Sequence, residues 1–125
     1  MKITTFNPLI ITEDPESAIA LFEELGFERR HTKTGIGDHD NTDVRMEDAN
    51  GFHVDVAQGD GEWTMIRMNV DNIDEAIELL TKHGFRKPRR ESVSKKVDTG
   101  SSKFMMMVSP SGYIVTVSEH TKDRD

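Results

Sequence analysis

The sequence predicts an α+β fold built from two copies of one strand–helix–three-strand unit. Three observations carry this reading. A turn and alternating strand, Asn50-Gly51-Phe52-His53-Val54-Asp55-Val56, returns in altered form as Ser111-Gly112-Tyr113-Ile114-Val115-Thr116-Val117. Two helical stretches align without gaps, pairing Ala18/Ala76, Ile19/Ile77, Leu21/Leu79, Gly26/Gly84 and Phe27/Phe85, each offset by 58 (76 − 18). A period that long, containing a helix and several strands, signals duplication of a supersecondary unit. In the two turn–strand copies, Phe52, Val54 and Val56 match Tyr113, Val115 and Val117 on one predicted face. The other face carries His53 and Asp55 in the first copy, but Ile114 and Thr116 in the second.

Taken in order, Ile3 to Ile11 reads as a strand running into Thr12-Glu13-Asp14-Pro15. There Asp14 can cap a helix whose first residue is Pro15, where a missing N–H is tolerated. Ala18, Ile19, Leu21, Phe22 and Leu25 recur at helical spacing, Gly26 ends the helix, and the stripe Phe22, Leu25 and Phe27 is expected in the core. Phe27 to Lys33 follows as a strand, then the loop Gly35-Ile36-Gly37-Asp38-His39-Asp40-Asn41. Thr42 to Glu47 and Phe52 to Ala57 form a hairpin around Asp48-Ala49-Asn50-Gly51. After a connector at 58–62 the pattern restarts. Trp63 to Val70 is a strand, Asn72 a cap with Glu75 three residues on, and Ile73 to His83 a helix closed by Gly84. Strands are expected near Arg89 to Val97, Lys103 to Val108 and Tyr113 to Glu119. The whole, 1–125, reads as a single domain of two tandem modules, about 1–58 and 62–120.

Composition narrows the function. Lys+Arg 16 against Asp+Glu 23 gives a net charge of −7, which disfavours nucleic acid because phosphate binding needs a positive surface. The basic cluster Arg86-Lys87-Pro88-Arg89-Arg90 with Lys95-Lys96 fits a charged strand edge. The sequence has no cysteine, so disulfides, thiolate metal sites and a cysteine nucleophile are excluded. No long apolar run and no signal-peptide core occur, so the expectation is a cytoplasmic protein that engages no membrane.

This layout resembles the vicinal oxygen chelate superfamily, which includes glyoxalase I, extradiol dioxygenases and the bleomycin and fosfomycin resistance proteins. The resemblance is carried by the Asp14-Pro15-Glu16 helix start, by Leu25-Gly26-Phe27 and His83-Gly84-Phe85, and by the turn Ser109-Pro110-Ser111-Gly112-Tyr113. It implies two βαβββ modules forming a U-shaped, eight-stranded mixed sheet around a cleft, commonly within a homodimer. Metal-dependent members place one ligand on the first and one on the last strand of each module. Carried over, those places are Asn7, Asp55, Met65 and Thr116. Only Asp55 is a strong donor, so no metal and no cofactor is expected. Two other donor groups are candidate metal sites: His53 with Asp55, and Asp38-His39-Asp40, which also reads as a solvated turn. His31, His83 and His120 fall at element ends and read as surface residues.

By strand alternation, the candidate ligand-binding residues are Asn7, Leu9, His53, Asp55, Met65, Arg67, Asn69, Ile114 and Thr116, together with Trp63 as an aromatic wall or a cap. The run Met105-Met106-Met107 adds adaptable surface. Arg67 either grips an anionic ligand group or pairs with Asp55. No nucleophile stands out, because Thr116 and Ser118 lack an elbow or triad partner. The best candidates for catalysis are His53 and Asp55, as an acid–base pair. The leading expectation is a metal-independent protein binding a partly apolar small molecule in the sheet cleft. The alternatives are a divergent metal-dependent glyoxalase- or dioxygenase-like enzyme and a catalytically inactive interaction domain.

Overall fold

The structure, a computed structural model, describes residues 1–34, 42–89, 97–98 and 102–120. The elements run β1 (Ile3–Thr12), α1 (Pro15–Glu24), β2 (Glu28–Thr34), β3 (Thr42–Glu47), β4 (His53–Gln58), β5 (Trp63–Val70), α2 (Ile73–Lys82), β6 (Val97–Asp98), β7 (Ser102–Val108) and β8 (Ile114–His120). The fold is α+β with a mixed sheet whose hydrogen-bonded order is β2-β3-β4-β1-β5-β8-β7-β6. Seven strands are full length. Where the sequence predicted a strand over Arg89 to Val97, the described backbone pairs only at Val97 and Asp98, opposite Phe104 and Lys103. Residues 90–96, and the loop holding Asp38-His39-Asp40, lie outside the described residues.

The chain divides into two compact units, Asn7–Thr64 and Met1–Phe6 with Met65–Asp125. Strand β1 is therefore shared, its start going with the second unit. The reason is local: the Asp71 N–H donates to the Lys2 carbonyl at 3.0 Å, and the Asp71 carboxylate accepts from the Lys2 N–H at 2.7 Å.

In the first unit, β1 and β4 run parallel while β2, β3 and β4 form antiparallel neighbours. Helix α1 begins as its sequence dictates. Pro15 supplies the first turn, and the Asp14 carboxylate accepts from the Ser17 N–H at 3.3 Å and the Ser17 hydroxyl at 2.6 Å. These bonds hold the Asp14 carboxyl below its usual range. The helix ends at Gly26, whose φ of +104° is one that L side chains rarely adopt. Ile19 packs with Val44, Met46, Val54 and Val56 into one apolar cluster, joined by Ile10, Ala18, Phe22 and Phe27. Phe22 and Phe27 meet edge to face, with centroids 5.4 Å apart.

The second unit repeats the scheme. Asn72 caps α2 by accepting from the Glu75 N–H at 3.1 Å, and Gly84 ends it at φ +89°. Met68, Val70, Ile73, Ala76, Val115 and Val117 form its cluster. Strand β5 runs parallel to β8, and β7 antiparallel to it.

Three expectations about the core are corrected. Leu25 is 63% exposed, so the predicted core stripe reduces to Phe22 and Phe27. Leu25 is the C-cap of α1 and projects after the last turn that faces the sheet. Phe52 and Tyr113 are 65% and 54% exposed, because each precedes the first residue of its strand and lies in the turn. The valines that follow them do face the helices, as the alternation requires. Among the described residues no helix is long and apolar enough to cross a membrane.

Candidate functional site

In the first unit, β3 and β4 pair with Arg45 opposite Asp55 and Glu47 opposite His53. Val44, Met46, Val54 and Val56 point to α1, so Asp43, Arg45, Glu47, His53 and Asp55 occupy the other face. Leu9 of β1 is the register partner of Asp55 and is buried on that face. The face is polar at its centre, and the polar groups hold one another.

Asp55 is 0% exposed. A carboxylate removed from water needs a cation and several hydrogen bonds. Arg45 supplies them: Nε donates to Oδ1 at 2.9 Å and Nη2 to Oδ2 at 2.9 Å, the two-point geometry a planar guanidinium favours. Nη2 also reaches Asn7 Oδ1 at 3.4 Å, while Asn7 Nδ2 donates to the Pro8 carbonyl at 2.9 Å. The hydrogen bonds to Asp55 push the Arg45 pKa above its ordinary value, against the opposing effect of burial, with Asp43 adding to the charge attraction. Sequence reasoning named Asn7 and Asp55 but missed Arg45. The predicted hairpin, with strands Thr42 to Glu47 and Phe52 to Ala57, sets residue 45 against residue 54, and the observed register is shifted by one, with Arg45 opposite Asp55.

His53 lies two residues before Asp55, yet its ring is engaged elsewhere. Nε2 sits 3.1 Å from Glu47 Oε1, and each side chain keeps about a third of its surface exposed. Glu47 was not foreseen as the partner. Arg30 Nε approaches the same Glu47 oxygen at 3.9 Å.

In the second unit, β5 and β8 place Arg67 opposite Thr116 and Asn69 opposite Ser118. Met65 and Thr116 are both buried, and Thr116 Oγ1 donates to Met65 Sδ at 2.9 Å. Met106 is the register partner of Thr116, so it shares that face. Asn69 is buried, and its Oδ1 has no hydrogen-bond partner among the described residues. Ile114 is half-buried at the start of β8. Trp63 is 45% exposed at the start of β5, in the first unit, its indole nitrogen close over Gly61. His83 is exposed at the end of α2.

Among the described residues no group of three or more His, Asp or Glu side chains could hold a metal ion. The four carried-over ligand positions are chemically occupied: Asp55 and Asn7 bond to Arg45, and Met65 and Thr116 bond to each other. A divalent ion needs several oxygen or nitrogen donors, so the donor set does not fit one.

Neither a protein-family model nor a curated protein matches the sequence. Solved structures do. The chain is similar to methylmalonyl-CoA epimerase from Mycobacterium tuberculosis, with a TM-score of 0.65 and 14% identity over 95% of this chain and 89% of that one. It is similar to glyoxalase I from Zea mays at a TM-score of 0.65 and 12% identity, covering 96% of this chain but 44% of that one. A glyoxalase/bleomycin resistance protein/dioxygenase superfamily member from Vibrio splendidus gives a TM-score of 0.60 and 16% identity, covering 94% of this chain and 99% of the other. At these identities the likeness is one of fold.

Proposed function

We propose that this chain, which has the fold of the vicinal oxygen chelate superfamily, is a metal-independent small-molecule binding protein. It holds a partly apolar ligand on sheet surface turned away from the helices. The observation that carries the reading is the state of Asp55. It is the one strong donor among the four carried-over positions, and both of its carboxylate oxygens are engaged by Arg45. A protein that kept the scaffold for a metal would not spend that carboxylate on a guanidinium. Each unit by itself carries a mixture suited to small molecules: Leu9 beside Asn7 and His53 in the first, and Met65 and Ile114 beside Asn69 and Thr116 in the second.

A ligand screen by thermal shift, followed by titration with and without a chelator, tests this. Saturable binding unchanged by the chelator is the expected result. Ligand binding that disappears when a bound metal is stripped would overturn it. The same reading takes a second copy of the chain as the assembly partner, with neither nucleic acid nor membrane engaged, in a cytoplasmic protein. Sedimentation equilibrium checks the dimer, and a monomer at every concentration removes it.

One observation favours an enzyme as the second reading. The His53–Glu47 contact is a carboxylate–imidazole pair, and a carboxylate can fix an imidazole for proton transfer. This reading expects His53→Ala to abolish turnover of a bound ligand while leaving its affinity in place. Equal turnover by the variant would end it.

A further inference from the structure

We propose that the Arg45 guanidinium is a built-in cation standing in for a divalent ion beside Asp55, and that its outward edge takes a neutral carbonyl-type oxygen of the ligand. The inference rests on the metal-free reading above and deepens it by naming a ligand class. Three features of the first unit support it. The cation is placed by backbone register, since Arg45 and Asp55 are direct partners on adjacent antiparallel strands. Short reach and two parallel bonds fix the guanidinium plane, and Asn7 contacts the same nitrogen that serves Asp55 Oδ2. A fully buried carboxylate beside an amide oxygen is a cation site in its own right, and the cation that fills it is covalently part of the chain.

The ligand class follows from the remaining donors and the charge count. Nε and Nη2 serve Asp55 and Asn7, while Nη1 makes no hydrogen bond to the described residues. A quarter of the Arg45 side chain stays exposed, so a ligand can reach that edge. The positive charge of Arg45 is offset by Asp55 and further by Asp43, which shares the face. An incoming anion would meet no excess positive charge. A neutral acceptor such as an amide or ketone oxygen takes an N–H without needing one.

Two arms test this. In the unaltered chain, the Arg45 side-chain N–H resonances are followed by NMR during titration with N,N-dimethylbenzamide, a neutral acceptor, and with benzoate, its anionic counterpart. Dimethylbenzamide is expected to shift them and benzoate to leave them in place. A stronger response to benzoate, or no response to either, overturns the ligand class. In the second arm, Arg45→His removes the guanidinium and puts an imidazole beside Asp55 and Asn7. This variant is expected to bind one nickel or zinc ion per chain and to gain melting temperature with it, and adding Asp55→Asn should abolish both effects. A folded Arg45→His protein that binds no metal overturns the stand-in role. Stoichiometric metal in the unaltered protein would instead overturn the metal-free reading itself, so the two failures are distinguishable. If Arg45→His does not fold even with metal present, the stand-in role is also rejected, while the NMR arm still decides the ligand class.

Discussion

The two units place different chemistry on the same scaffold. Asn7 and Met65 are offset by 58, and Asp55 and Thr116 occupy matching places in the repeated turn–strand segment. In the first unit the pair is joined through a half-buried guanidinium, and in the second through one hydroxyl–thioether contact. Behind both faces lies the same kind of apolar cluster under a capped helix. The helix-facing side is thus fixed by packing, which tolerates few residue types. The opposite side is free to diverge, and here one copy keeps a charge while the other has none at the matched positions.

The sharpest way to break that comparison is to unpair the charge. Asp55→Ala strands the half-buried Arg45 guanidinium, and Arg45→Ala takes away the guanidinium that holds both oxygens of a fully buried carboxylate. Each is expected to destabilise by about 3–5 kcal/mol in urea unfolding. The double change Arg45→Met with Asp55→Leu should recover most of that loss, because apolar residues of similar size can replace a buried pair. In the second unit, Thr116→Val removes only a hydroxyl–thioether contact, so about 0.5–1.5 kcal/mol is expected. Equal losses in the two units would mean that the charged pair has no special role.

The helix-facing side gives a contrast of similar size. Ile19 has no exposed surface, and Ile19→Ala should cost about 2–5 kcal/mol through lost contacts and the cavity left behind. Leu25→Ala, at an exposed cap, should stay within about 0.5 kcal/mol of the unaltered protein. Chemical denaturation of both variants checks this.

The smallest effect concerns pH. The Asp14 carboxyl is held below its usual range by Ser17, so the charged form is favoured by folding. Its contribution is present above the ordinary carboxylate value and is lost as pH falls through the lowered one. Amide exchange in the first turn of α1 should therefore quicken in acid. Asp14→Asn, which caps without titrating, should flatten that dependence.

Much of the fold was legible because local chemistry and tertiary packing agree. Thr42–Glu47 and Trp63–Val70 follow from alternation alone, and both helix starts follow from Asp14 and Asn72. The exceptions lie where apolar residues depart from the strict helical period. Leu21 lies two residues from Ile19, about 200° around a helix, and is accordingly exposed. Leu25, four residues on from Leu21, shares its outward direction. Of the candidate site, Asn7 and Asp55 were readable as matched positions in a duplicated unit. Their partner Arg45 was not named, because which residues face each other across a hairpin depends on register, and one residue of slip reverses every face. His53 shows the same limit. Its spacing from Asp55 is correct, but cross-strand Glu47 is the nearer neighbour.

The central claim is that Asp55 answers to an internal cation and not to a metal. Elemental analysis of the protein purified without chelator, repeated after incubation with zinc, nickel, manganese and iron(II), tests it most directly. The account predicts no stoichiometric metal under any of these conditions. One divalent ion per chain, lost in Asp55→Ala, would contradict it.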